Sequence, residues 1–147
     1  MKKMVLVLLV ISEGLLGAWC WSYSLYAETM RRAVAGFECG DNLAAIAHLG
    51  GFRQTLRGAL YKELPGLRQF YDRIIYAEAT ARMRLGEDQR ASELFMQVVS
   101  SQQTEVRNGS FYNHALLNIQ KGDYISARTE LSKALVIIPS DLDSRYN

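Results

Sequence analysis

Two cysteines and two histidines are the side chains best suited to metal binding or nucleophilic catalysis. Neither His48 nor His114 has a Cys or a carboxylate at the short spacing that zinc ligands show. Cys39 and His48 are nine residues apart, a separation that does not bring two side chains onto one face of a helix. The sequence therefore predicts a buried thiol, no metal site and no cofactor.

The other motifs of catalysis are also missing from the sequence. It contains no glycine-rich phosphate loop, no nucleophile elbow and no paired acidic motif. Glu78 stands four residues before Arg82, and Glu93 three residues after Arg90, which is typical of solvated charge pairs on a helix. We therefore expect that the protein is not an enzyme.

Composition favours one all-α domain. The chain has 147 residues, of which 49% are hydrophobic and 22% charged, and only two are Pro and two Cys. A net charge of +2 gives no nucleic-acid footprint. A basic excess between Arg53 and Arg90 could face anionic headgroups or an acidic partner, but interspersed acids favour a solvated helix surface.

The elements that must position any site begin with an apolar N-terminal segment. From Met4 to Ala27 the only charge is Glu13, and these residues would form a helix of about 36 Å, against roughly 30 Å of bilayer hydrocarbon. We predict a transmembrane helix in residues 1–27. A carboxylate at mid-span is costly, so Glu13 either contacts a second membrane subunit or is a protonated carboxyl within the apolar run.

Aromatic residues mark one end of this segment. The rings that we expect at the headgroup level are those of Trp19, Trp21, Tyr23 and Tyr26. Such bulky residues favour an uncleaved signal anchor over a cleaved signal peptide, which would need small residues there, and the Trp before Cys20 disfavours a lipoprotein. Lys2, Lys3 and the α-amino group precede the segment, and Arg31 and Arg32 follow it. The slight excess of positive charge on the N-terminal side favours a cytoplasmic N-terminus.

A helix–turn–helix pattern recurs in the remaining residues, 28–147. The C-terminal copy has small and large residues at helical spacing around a Gly-Asp turn, with Gly122 expected to end the first helix and Pro139 the second. Thirty-six residues upstream the pattern recurs around Gly86, and more faintly 46 residues further upstream around Gly40. The residues that match between the two clear copies are Tyr76/Tyr112, Ala79/Ala115, Ala91/Ala127, Phe95/Leu131 and Val98/Ala134. In the faint copy Ala33, Ala45 and Phe52 match Ala79, Ala91 and Val98.

This pattern resembles the tetratricopeptide repeat. Its residues occupy the family's positions without a gap: Phe111, Tyr112, Asn113, Ala115, Gly122, Asp123, Tyr124, Ala127, Leu131, Ala134, Leu135 and Pro139. The resemblance implies antiparallel helix pairs in a short right-handed solenoid, with units at about 74–109 and 110–143 and a degenerate unit at about 28–60. Residues 53–64 would be a connector or a short helix, and the first helix of the degenerate unit could continue unbroken from the span.

The resemblance also implies a binding groove lined by the first helix of each unit. The family's groove positions fall on Tyr76, Thr80, Met83, Arg84, Tyr112, Leu116, Ile119 and Gln120. Tyr rings and a flexible Met suit an apolar peptide, while Arg84 and Gln120 could bond polar groups. The alternative is that Leu116, Ile119 and Met83 are ordinary core residues.

A single span followed by degenerate repeats also resembles bacterial membrane-anchored repeat proteins of the MxaK and BatC kind. That resemblance implies a protein-binding scaffold in the bacterial inner membrane, with its repeats in the periplasm, assisting the assembly or maturation of a cell-envelope complex. The alternative is a structural single-span subunit of a larger membrane or secretion complex. No polar capping helix follows the aliphatic run Leu135–Ile138, which predicts docking of a partner there, a homo-oligomer or a truncated chain.

Overall fold

The computed structural model describes the backbone of residues 2–137 and the side chains of residues 14 and 16–137. This part of the chain is all-α and forms seven helices that pack antiparallel. The helices are α1 (Lys2–Glu38), α2 (Asn42–Arg53), α3 (Leu56–Glu63), α4 (Pro65–Arg84), α5 (Asp88–Val98), α6 (Thr104–Gln120) and α7 (Tyr124–Ile137). The predictions for the side chain of Glu13 and for Ile138 and Pro139 fall outside the described residues.

Three glycine turns divide most of the helices into pairs. Gly40, Gly86 and Gly122 have φ angles of 74°, 75° and 79°, a conformation that residues with a Cβ rarely adopt. At each turn the amide of the residue after the glycine donates to the carbonyl five residues before it, at 2.8–2.9 Å. The repeated Gly signal in the sequence thus corresponds to one turn used three times.

The residue after two of these glycines also begins the next helix. The carboxylate of Asp41 accepts from the amide of Ala44 at 2.9 Å, and that of Asp123 from the amide of Ser126 at 3.0 Å. These bonds satisfy amides that lack partners within the helix. The Gly-Asp dipeptide therefore ends one helix and starts its antiparallel neighbour.

Small residues allow the paired helices to approach closely. Of the apolar positions that match between the repeats, the tyrosines at 76 and 112 are half-buried, and the others are buried: Ala33, Ala45, Phe52, Ala79, Ala91, Phe95, Val98, Ala115, Ala127, Leu131 and Ala134. The main core extends from Tyr26 to Leu117, and a smaller one between α6 and α7 contains Ala115, Ala127 and Leu131. Most of the matched positions of the sequence therefore lie in the core.

Helix α1 runs without interruption from Lys2 to Glu38, as the absence of Pro in this region predicts. Among the residues whose side chains the structure describes, no helix is long and apolar enough to cross a membrane. Tyr26, which the aromatic pattern assigned to the headgroups, is instead buried with its ring centroid 4.7 Å from that of Phe70 on α4. The last turns of the predicted anchor therefore pack on the helical domain.

Helix α3 is the short helix between the first and second pairs. The hydroxyl of Thr55 accepts from the amide of Gly58 at 3.1 Å and so caps its first turn. Gly58 and Tyr61 are buried, while the other residues of α3 are exposed. Pro65 then occupies the first turn of α4, where its missing amide hydrogen costs nothing.

Candidate functional site

The predicted groove residue Tyr76 is a link between α4 and α6. Its ring packs on Phe95 with centroids 5.8 Å apart, and its hydroxyl accepts from the amide of Asn113 at 3.2 Å. A Cβ at Gly109 would overlap this hydroxyl. Burial raises the pKa of Tyr76 above its ordinary value of 10, and the hydrogen bond from Asn113 opposes that shift. The side chain is thus held by contacts within the chain.

The other three predicted residues on α4 have different exposures. Thr80 donates to the carbonyl oxygen of Tyr76 at 2.9 Å, and Met83 is half-buried against the main core. Arg84 is exposed, and its guanidinium lies 5.1 Å from the ring centroid of Phe37 on α1. Among these three residues, Arg84 is the one whose side chain is exposed and can contact a ligand.

The four predicted residues on α6 continue the same surface. Tyr112 and Ile119 are half-buried against the small core, Leu116 is half-buried and Gln120 is exposed. The bond between Asn113 and Tyr76 joins α6 to the set on α4. Met83, Leu116 and Ile119 are all half-buried, which fits the alternative interpretation of these three as packing residues, while Arg84 and Gln120 are exposed.

Glu78 contradicts the prediction of a solvated charge. It is 2% exposed, and its Oε2 atom accepts from Nη1 of Arg53 on α2 at 2.6 Å. Its Oε1 atom accepts from Nε of Arg82 at 2.9 Å, and Arg82 also bonds Glu87 at 2.5 Å. The prediction was wrong because the partner Arg53 lies 25 residues away, at a spacing that helical periodicity cannot reveal.

Charge complementarity stabilises this network. Burial tends to lower the pKa values of Arg53 and Arg82, but the hydrogen bonds and negative charge of Glu78 outweigh it and raise both pKa values above the ordinary value of an arginine. A cleft of about 380 Å³ lies beside the network. Its lining contains acidic residues as well as arginines, among them Arg90 and Glu93. With its charges paired, the network joins α2, α4 and the start of α5.

His114 belongs to a second, partly buried polar cluster that sequence reasoning missed. Its Nε2 atom lies 2.9 Å from the hydroxyl of Ser92 on α5, and its Nδ1 atom lies 3.9 Å from Oε2 of Glu130 on α7. Burial, together with Lys121 and Lys133, lowers the pKa of His114 below 6.5, although Glu130 opposes the shift. The imidazole is therefore neutral at pH 7, and its contact with Glu130 is not an ion pair.

Ser92, His114 and Glu130 contact one another in the spatial order of a nucleophile, a base and an orienting carboxylate. Their surroundings, however, differ from those of the active site of a hydrolase. Ser92 lies within α5, where backbone amides are used by the helix and cannot form an oxyanion hole. Nδ1 of His114 and Oε2 of Glu130 have no hydrogen-bond partner among the described residues. Within that same part of the chain, no group of three His, Cys, Asp or Glu side chains could hold a metal ion.

The remaining candidates for chemistry lie apart from this cluster. Cys20 and Cys39 are exposed free thiols, which corrects the expectation of a buried thiol, and His48 is exposed on α2. The structure brings none of these three to the Ser92–His114 contact.

The outer face of α7 is the most exposed apolar surface of the repeat units. Tyr124, Ile125 and Val136 are 69%, 84% and 82% exposed. A shallow cleft of about 760 Å³ runs along them, with Arg128 and Lys133 among its lining residues. Of the aliphatic run predicted as a docking patch, Val136 is exposed, while residues 135 and 137 are half-buried. The apolar surface thus starts earlier on α7 than predicted.

Comparison of the chain with protein-family models gives no match, and comparison with curated proteins gives none either. The assignment of function therefore rests on the helix pairs and surfaces described above.

Proposed function

We propose that the protein is a membrane-anchored scaffold of the tetratricopeptide type that binds a partner protein and assists the assembly or maturation of a complex in the bacterial cell envelope. The carrying observation is the glycine turn used at residues 40, 86 and 122, each time between antiparallel helices with small residues at their crossing. Arrays of such pairs expose long surfaces and act by binding. The continuous α1 and its apolar N-terminal sequence support a membrane anchor. Lys2 and Lys3 before the apolar run favour a cytoplasmic N-terminus and hence repeats in the periplasm.

The outer face of α7 is the proposed partner surface. Tyr124, Ile125 and Val136 would bury apolar area, and Arg128 would pair with a carboxylate at the rim. This chemistry fits an amphipathic helix of the partner that carries acidic residues beside its apolar face. The exposed residues Arg84 and Gln120 provide a second contact.

Ile125→Asp tests this proposal in the full-length chain. The substitution places a charge at the most exposed apolar residue, so we expect at least a roughly tenfold loss of the co-purified partner without loss of folding. Met96→Asp is the matched control, because Met96 is an exposed apolar residue on α5. The measurement is quantitative mass spectrometry of complexes from native membranes. Equal partner recovery with both variants would exclude the α7 surface.

The alternative function, a structural single-span subunit, makes a different prediction for Glu13→Leu. If the span holds the complex, this variant inserts into the membrane but loses the complex. If the repeats hold it, the complex survives. Purified full-length protein that sediments as a dimer, and as a monomer after Ile125→Asp, would assign the α7 face to a homo-oligomer instead.

A further inference from the structure

Helix α3 presents a leucine face that the fold leaves uncovered. Leu56 and Leu60 are 80% and 50% exposed and lie four residues apart, so they share one face of the helix. Leu64, which follows the last turn, is 48% exposed. Helix α3 packs on the rest of the protein through the buried side chain of Tyr61, and the leucines take no part in that packing.

Two contacts fix α3 beside a defined level of α1. The hydroxyl of Tyr61 donates to the carbonyl oxygen of Ser22. The guanidinium of Arg57 lies 4.6 Å from the ring centroid of Trp21. Helix α3 therefore lies against residues 21–22 of α1, near the end of the segment predicted to span the membrane.

The surface of α1 at this level is aromatic. Trp19, Trp21 and Tyr23 are about half-exposed, and Leu16, further towards the apolar N-terminal run, is 63% exposed. Trp and Tyr are enriched where protein crosses from lipid to water, because their rings are amphipathic. Helix α3, which carries the leucine face, thus lies beside a belt of exposed rings on α1.

Charge near α3 is weakly positive. Arg57 and Lys62 are exposed, and Glu63 is the only acid in residues 55–71. Arg68, at the start of α4, pairs with Asp72 at 2.9 Å. Cations beside an apolar helix face favour contact with anionic lipid headgroups.

We propose that α3 is an interfacial helix whose face of Leu56, Leu60 and Leu64 enters the boundary between headgroups and acyl chains of an anionic bilayer, beside the point where α1 leaves it. A protein partner fits this face less well, because three leucines cover far less than the roughly 800 Å² per partner of a stable interface. A bilayer surrounds an inserted helix face on all sides and therefore does not require an interface of that size. This proposal rests on the proposed anchor, and it fixes the repeat domain against the membrane at a second place.

The test uses the full-length chain in vesicles of phosphatidylcholine with or without phosphatidylglycerol. Leu60→Cys, with Cys20 and Cys39 replaced by Ser, is labelled with an environment-sensitive fluorophore. Leu85→Cys is the matched control, because Leu85 is an exposed leucine just past the other end of α4. In anionic vesicles we expect at least about threefold less quenching by aqueous iodide, and more quenching by spin-labelled lipid, at position 60 than at position 85.

The other outcomes overturn the proposal in distinguishable ways. Equal iodide quenching at the two positions would show that α3 is in water. Protection from iodide without quenching by spin-labelled lipid would assign the face to a protein, including a second copy. Equal protection with and without phosphatidylglycerol would remove the anionic requirement.

Carbonate extraction separates this proposal from the anchor on which it rests. A chain that resists extraction, with position 60 open to iodide, retains the anchor and loses the interfacial helix. A chain that is extracted, yet is quenched by lipid at position 60 before extraction, loses the anchor and retains the interfacial helix.

Discussion

Glu78 and His114 occupy equivalent positions, 36 residues apart, on the first helices of two neighbouring pairs. Glu78 is buried and His114 is half-buried, and each bonds to the second helix of the preceding pair, Glu78 to Arg53 on α2 and His114 to Ser92 on α5. The first link is an ion pair and the second joins neutral groups. The comparison shows that the repeat keeps the place of a polar contact between pairs while its chemistry changes.

The two pairs also differ in how they are covered. Phe95 and Val98 on α5 are fully buried in the main core, whereas the small core beside α7 is built on Ala115, Ala127 and Leu131. Less buried apolar surface means lower local stability. The α6–α7 pair thus combines the weaker core with the exposed face proposed for partner binding.

Glu78→Leu, which removes the ion pair between two helix pairs, is expected to have the largest effect on the free energy of unfolding. It leaves Arg53 and Arg82 largely buried without their shared carboxylate, and losing one member of a buried pair costs about 3 kcal/mol. Denaturant unfolding measures the free energy of unfolding. Glu93→Leu, at an exposed acid on the neighbouring helix, is the control and should change it little. Equal effects would show that the Glu78 link does not stabilise the fold.

Gly109→Ala sharpens the comparison at the contact between α4 and α6. The new Cβ would overlap the hydroxyl of Tyr76, so we expect a loss of about 2 kcal/mol in the free energy of unfolding. Gly51→Ala is the control, because a Cβ there has open space and a helical Ala stabilises by roughly 0.5–1 kcal/mol. A stabilising Gly109→Ala would mean that Tyr76 is not fixed against α6.

The smallest expected effect is the contribution of His114 to the loss of folding stability at acidic pH. Because its pKa is lowered in the folded protein, the unfolded chain binds more protons below pH about 6.5, so stability falls as pH drops through that value towards the folded pKa. His114→Gln removes this contribution and should give a flatter profile of unfolding free energy against pH. Identical wild-type and variant profiles would contradict the burial of a neutral imidazole.

The parts of the fold that are local in sequence could be predicted. The all-α class, the positive φ of Gly122, the unbroken α1 and the alanines at the helix crossings all follow from composition and period. The polar links could not, because Glu78 and Arg53 are 25 residues apart and Ser92 and His114 are 22 apart. Helical periodicity gives the face of a residue and not its partner. The 36-residue offset, applied to polar positions as well as apolar ones, would have related Glu78 to His114.

The candidate site was predicted less completely for a related reason. A family pattern assigns groove positions to Tyr76 and Thr80, but only the packed structure shows that both make contacts within the chain. The exposed Tyr124 and Ile125 of α7 lack any sequence signal that separates them from core residues, since both follow a helical pattern of apolar positions.

Photo-crosslinking at position 125 in native membranes tests the central claim, a scaffold that recognises its partner through α7, most directly. A photoreactive amino acid replaces Ile125 in one variant and the exposed Met96 of α5 in the other. We predict one discrete adduct with a different protein at position 125 and none at position 96. No adduct at position 125, or the same adduct at both positions, would contradict the proposed recognition surface.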